Sequence, residues 1–221
     1  MSIAQPPDSI VSQRAMLERL LSDGSVRRSA ELIAQGVQPQ AIADALRAGV
    51  ITRAAPGAYH ATSTAIQPEM LAVAVSCLRT PRAIVCLLSA AYLCNLTDAP
   101  PPVTWLALPI GSHAPKKGEG RQQILHWSHP GAFDAGVVQT QLCGVTVRHT
   151  SAARTVVDLF RYSRYLAGDE AGTRAAGRFL RRGGDLATLL RIADQVAAPS
   201  RTVRALAAAL GDLQLPLGQS Q

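Results

Sequence analysis

The spacing of apolar residues changes twice along the chain, and those changes limit the fold more than any single motif does. Up to about residue 49 the apolar positions recur at intervals of three and four, the period of helices. Between about 83 and 149 they come in short runs bounded by Pro and Gly, which read as strands. From Ser151 to Leu210 the helical period returns, broken near Gly168, at Gly183-Gly184 and at Pro199. Strands first and helices after make the larger part an α+β arrangement. At 221 residues, 48% apolar and 17% charged, the chain suffices for one full domain plus a small appended one, and global disorder is excluded.

The first sixty residues divide finely. Ile10, Leu17, Leu20 and Leu21 predict a helix over 9–22, stopped by Asp23-Gly24. A shorter helix follows from Arg28 to Gln35, ended by Gly36, and a third begins at Pro39, with Gln38 as a mediocre cap and Gly49 as its stop. Val50–Arg53 and Ala58–His60 then flank an Ala54–Gly57 turn. Three helices followed by a small hairpin is the order of a winged helix-turn-helix, expected over residues 1–62, with the α+β domain over 63–221. With Ile42, Ala45, Leu46 and Gly49 inward, the third helix carries Gln40, Asp44 and Arg47 on its other side. Gln pairs with adenine, Arg with guanine, and a carboxylate accepts from cytosine, so this face is either base-reading or simply solvated. On the first reading Gln38 joins the base contacts, Arg53 of the wing lies near phosphate, and Arg28 anchors the preceding helix.

The formal charge is +7, from 22 basic and 15 acidic residues, which points to an anionic partner. All the basic residues but Lys116 and Lys117 are arginines, and neither lysine precedes a hydroxyl residue, so there is no P-loop. The charge is uneven: residues 1–60 hold six arginines against five acids, leaving the excess to the second domain. There Arg174, Arg178, Arg181 and Arg182 fall at spacings of four, three and one. They share one helical face, with Arg161 and Arg164 on the preceding helix. Apart from Glu170 and Asp185 the face lacks acids at i±3 or i±4, so it reads either as a solvated surface or as a phosphate-contacting one.

In the second domain Glu69–Leu78 reads as a buried helix, Ala83–Leu88 as a buried extended run, and Ser89 as the cap of a short helix through Asn95. Val103–Leu108, Ile124–Trp127, Gly136–Gln141 and Val145–His149 complete a mixed, mainly antiparallel sheet, with a Gly- and Lys-bearing loop over 110–121. Ser151 can cap the helix that follows, where Arg154 and Asp158 stand one turn apart. That arginine is either structural, fixing the helix start against the sheet, or catalytic or DNA-contacting. His126, His129 and His149, with Asp134 near two of them, form no known ligand spacing, and hydrogen-bonding strand histidines are the simpler reading. The four cysteines, Cys77, Cys86, Cys94 and Cys143, lack metal-site spacing and are expected as buried reduced thiols. No cofactor, metal site, secretory leader or membrane span is expected, nothing requires an enzyme, and the expected compartment is the cytoplasm.

Several segments taken in order carry a resemblance: Gly36-Val37, the Gly57-Ala58-Tyr59 wing, Leu88–Leu93 followed by Leu96-Thr97-Asp98, and Thr150-Ser151-x-x-Arg154-Thr155-Val156-Val157-Asp158-Leu159. Over about residues 10–210 the chain resembles the AbiEi-type antitoxins, departing where that family often has His-Gly for Cys94-Asn95 and Pro-Glu for Ala152-Ala153. The resemblance implies a bacterial regulator of a type IV toxin–antitoxin operon, whose winged helix binds inverted repeats in duplex DNA and represses the promoter. It also implies a second domain that counters a nucleotidyltransferase toxin without a stable complex. The alternative is a nuclease-like enzyme in the second domain, drawing on His126, His149, Asp134 and Asp158.

Overall fold

In α1 (Pro7–Leu21) the i, i+4 pair Leu17 and Leu21 is fully buried and starts the first core. The structure is a computed structural model that describes residues 7–112 and 122–214. After Gly24, at φ 75°, a two-residue strand β1 (Arg27–Arg28) leads into α2 (Ser29–Ala34). Gly36, at φ 93°, turns the chain toward α3 (Pro39–Arg47). β2 (Ile51–Ala55) and β3 (Ala58–Ala61) form the expected hairpin. β1 was not expected, since two arginines carry no strand signal. It forms because its backbone pairs with β3, Arg27 opposite Tyr59, which gives an antiparallel sheet in the order β1-β3-β2. Leu32, Val37, Ile42, Ala45 and Ile51 close the core beneath it.

This first compact unit runs on through α4 (Pro68–Arg79) and takes in residues 141–146, past the 62/63 boundary read from the sequence. Two contacts account for the extension. The Arg28 guanidinium donates to the Leu78 carbonyl, and the Val26 N–H donates to the Cys143 carbonyl at 2.8 Å. In α4 burial is concentrated at Val73–Cys77, while Ala72 is exposed, so the helix is not buried all round.

Apart from residues 141–146, the second unit holds a five-stranded sheet in the order β6-β5-β4-β8-β7, made of β4 (Ile84–Val85), β5 (Thr104–Pro109), β6 (Gln122–Trp127), β7 (Val137–Leu142) and β8 (Val145–Thr150). β7 and β8 are joined by Cys143-Gly144, both at positive φ (49° and 72°), as a type I′ hairpin turn requires. The sheet is mixed, as expected, but not mainly antiparallel: β5 runs parallel to β6, and β4 parallel to β8. Apolar alternation is the same in both directions, so it could not tell them apart. Of the 110–121 loop expected between β5 and β6, residues 113–121, with both lysines, lie outside the described residues.

Ser89 does not cap its helix. Cys86 occupies the cap position of α5 (Leu87–Leu93), and Ser89 sits buried in the first turn. Its hydroxyl accepts from the Trp105 N–H at 3.0 Å and donates to the Val103 carbonyl at 3.3 Å, tying α5 to β5. Ser89→Ala therefore leaves a buried N–H unpaired, and chemical denaturation should show a loss of about 1–3 kcal/mol. The helical tail divides at the expected breaks into α6 (Ala152–Arg161), α7 (Glu170–Arg181), α8 (Leu186–Gln195) and α9 (Ser200–Gln214). Ser151 caps α6, accepting from the Arg154 N–H, and α6 is buried from Ala153 to Phe160 with α5, α7, α8 and α9 packed around it.

The molecule is thus mixed α+β. All four cysteines are free; Cys77 and Cys86 are buried, Cys94 and Cys143 half-buried. Burial pushes the Cys77 thiol up to about 12 and the Cys94 thiol up to about 11, which makes both poor nucleophiles. Among the described residues no helix is long and apolar enough to cross a membrane.

Candidate nucleic-acid interface

Pro39 opens α3, and Ile42 and Ala45 turn it against the first core. Helical geometry then leaves Gln40, Asp44 and Arg47 on the other side. Gln40 and Arg47 are exposed and Asp44 is partly so. Asp44 joins the three: its Oδ1 accepts from Gln40 Nε2 at 3.0 Å and from the Arg47 guanidinium. The spacings of three and four that place these residues on one face also bring them into hydrogen-bond reach. At the helix start the Gln38 N–H donates to Gln13 Oε1 at 2.9 Å, a contact 25 residues apart that helical spacing did not suggest.

The two flanking arginines are differently placed. Arg53 is exposed on β2, with its guanidinium 6.0 Å from the centre of the Tyr59 ring. Arg28 precedes α2 and is occupied within its own unit. Its N–H donates to Glu31 Oε2 at 3.2 Å, and its guanidinium is on Leu78.

The arginine face of α7 is not the unpaired surface that its spacing suggests. Arg174 pairs with Glu170. Arg178 grips Asp98 with both terminal nitrogens, one contact at 2.8 Å, and holds that carboxyl below its ordinary range. Arg182 donates to the carbonyls of Cys94 and Asn95 at 2.7 and 3.2 Å, where α5 ends and its dipole is negative. Arg181 alone of the four is exposed without a hydrogen-bond or ion-pair partner among the described residues. Asp98 lies 80 residues from Arg178, so local spacing could not reveal the pair. The Cys94-Asn95 and Leu96-Thr97-Asp98 segments are the docking points of α7.

Arg154 is structural in every contact it makes. It is fully buried, with Nε 2.7 Å from Asp158 Oδ2, Nη1 donating to the Ala132 and Ala135 carbonyls, and its guanidinium 4.6 Å over the Trp127 ring. Thr150 and Thr155 share a 2.7 Å hydroxyl contact beside it. Burial raises the Asp158 carboxyl above its ordinary value against the opposing pull of Arg154 and Arg161.

Over 94% of its length the chain matches the crystal structure of RV2827C protein from Mycobacterium tuberculosis. The TM-score is 0.65 and the identity 14%, across 78% of that chain. The likeness is one of fold. No family model matches the sequence, and no curated protein does.

The side chains named for an enzyme are differently engaged. His126 and Asp134 are exposed, with His126 Nε2 3.3 Å from the Ser112 carbonyl. His149 and Asp158 are buried, His149 Nδ1 lying 2.9 Å from the Thr150 carbonyl and Asp158 bound to Arg154. His129 is exposed. Among the described residues no group of three His, Cys, Asp or Glu is placed to hold a metal ion.

Proposed function

We propose that the chain is a DNA-binding transcriptional regulator, with the first unit acting as a winged helix in which α3 reads the major groove and the β2–β3 hairpin is the wing. The observation that carries this reading is the Gln40–Asp44–Arg47 face, exposed on a helix whose other side is locked by Ile42 and Ala45. Three residue types that recognise base edges stand together where a recognition helix presents them. The order β1-β3-β2 supports it by bracing the hairpin that carries Arg53 for phosphate. Gln38 lies at the same helix start, and Arg28 retains guanidinium donors beyond the one on Leu78 for the backbone.

The resemblance to AbiEi-type antitoxins adds the target and the context. The regulator acts in the cytoplasm on inverted repeats in its own promoter, and its second unit counters a nucleotidyltransferase toxin without forming a stable complex with it. No catalytic residue belongs to this reading. Fluorescence anisotropy on the promoter fragment upstream of its own gene and on a shuffled copy is the test. The expected preference is roughly 10³-fold or more at physiological salt, the lower bound for specific regulators. Equal affinity for the two fragments rules out a sequence-reading role. Co-expression with a neighbouring nucleotidyltransferase should restore growth without co-purification, and continued arrest rules out the antitoxin role.

A further inference from the structure

Between α6 and α7 the chain makes a short turn over Ser163–Tyr165 and passes Gly168, and Arg201 stands in the first turn of α9. Arg161, Ser163, Arg164, Gly168 and Arg201 line a recess of about 290 Å³. That is the lower end of the ~300–1,000 Å³ range of small-molecule sites. Three of its five residues are arginines and none is acidic, so the recess favours an anion. No carboxylate lines the recess itself, and Arg164 and Arg201 have no acidic partner among the described residues. Asp158 is buried on Arg154 and also attracts Arg161, and Asp169, next to Gly168, stands at the N-cap position of α7 without a side-chain cap hydrogen bond.

The guanidiniums are held in advance. Arg161 donates from Nη1 to the Val196 carbonyl at 3.0 Å and lies 5.3 Å from the centre of the Tyr162 ring. Arg164 donates from Nη2 to the Tyr165 hydroxyl at 2.9 Å and lies 4.7 Å over that ring. Each anchor occupies one of five N–H donors, so the forks lose conformational freedom but keep donors for a ligand. Arg201 is exposed without a hydrogen-bond or ion-pair partner among the described residues, and the first turn of α9 contains no acid to oppose its helix dipole. At Gly168, φ 122°, an added Cβ would meet nothing within 4 Å, which leaves that side open. Tyr165, 47% exposed, presents aromatic surface beside the charges.

We propose that this recess is a phosphate site. Arg161, Arg164 and Arg201 donate to the phosphate group of a nucleotide, and Tyr165 lies against its sugar or base. The site stands on its own geometry and does not depend on α3 reading DNA. Two sources supply such a group: a free mononucleotide, or the backbone of a nucleic acid.

The full-length chain is titrated with AMP and with inorganic pyrophosphate by calorimetry, and with a short scrambled duplex by anisotropy. Arg164→Gln, Arg201→Gln and, as an equal-charge control, Arg181→Gln are compared, with melting curves confirming that each is folded. For the ligand that binds, Arg164→Gln and Arg201→Gln should each weaken affinity roughly tenfold, as the loss of a charge-assisted contact does, while Arg181→Gln leaves it nearly unchanged. That pattern with AMP identifies a free nucleotide, and with the duplex alone it identifies the backbone; with pyrophosphate but neither of the others it overturns the nucleotide assignment. If Arg181→Gln costs as much as the other two, or if neither variant alters any of the three titrations, the phosphate site is refuted. The ratio of promoter to shuffled affinity should be the same in all three variants, so failure here is distinct from failure of the α3 reading.

Discussion

Replacing Arg154 by Met is expected to destabilise the fold by about 3–5 kcal/mol at neutral pH, the cost of leaving one partner of a buried ion pair alone. That is a large part of the ~5–15 kcal/mol that a domain commands. Arg154 and Asp158 are both fully buried, and the guanidinium also satisfies two carbonyls of the turn before β7. Its removal leaves the Asp158 carboxylate and both carbonyls without their donor. The double variant Arg154→Met, Asp158→Leu should recover most of the loss. The native network is itself incomplete, with Arg154 Nη2, Asp158 Oδ1 and the Trp127 indole nitrogen lacking hydrogen-bond partners among the described residues, so an apolar substitute gives up little. Urea melts of the parent, single and double variants measure this directly. A single variant that melts with the parent would show that the pair holds nothing together.

The single variant should also acquire a pH dependence of known sign. Burial already raises the Asp158 carboxyl, and Arg154 opposes that rise. Without the guanidinium the folded state holds the proton to higher pH than the unfolded chain, whose carboxyl titrates near 3.8. A raised folded pKa gives stability that is fully present below the unfolded value and lost as pH rises through the folded one. The gap between Arg154→Met and the parent should therefore be smaller near pH 4 than at pH 7. A constant gap would mean that Asp158 is not the group left exposed to the loss.

What could be read ahead of the fold was whatever depends on neighbours in sequence. Gly168, Gly183-Gly184 and Pro199 marked the helix breaks because they act on their own backbone. The Gln40–Asp44–Arg47 face was legible because helical spacing alone brings it together. Arg154 and Asp158 were visible as an i, i+4 pair, although their complete burial was not. Two of the misreadings share one cause, a partner far along the chain. Ser89 looks like a cap until β5 supplies Trp105. The α7 arginines look unpaired until Asp98 and the end of α5 are folded beneath them. The direction of β5 against β6 leaves no trace in alternation at all. Of the basic face that spacing assigned to α7 and the preceding helix, Arg161 and Arg164 stand at one recess, where Arg201 joins them from a separate helix that spacing did not link to them.

The α3 face yields the second large effect, on binding rather than stability. Arg47→Ala is expected to weaken promoter binding by about 1–3 kcal/mol, the usual worth of a base-reading arginine, and to affect shuffled DNA far less. The Arg47–Asp44 pair does not stand in the way. With side chains 71% and 42% exposed, such a pair contributes about 0–1 kcal/mol, so Arg47 can leave Asp44 for a guanine edge at little cost. Asp44→Ala tests the other half of the arrangement. It removes the only acid on this face of α3 and the acceptor that orients both Gln40 and Arg47. Shuffled DNA should then bind more tightly, because a repulsive charge has left the groove-facing surface, while promoter binding falls or stays level. The ratio between the two therefore drops in both variants but for opposite reasons, and anisotropy on the two fragments separates them. An Arg47→Ala variant that loses promoter and shuffled affinity equally would place Arg47 on phosphate. One that loses neither would remove α3 from the DNA altogether.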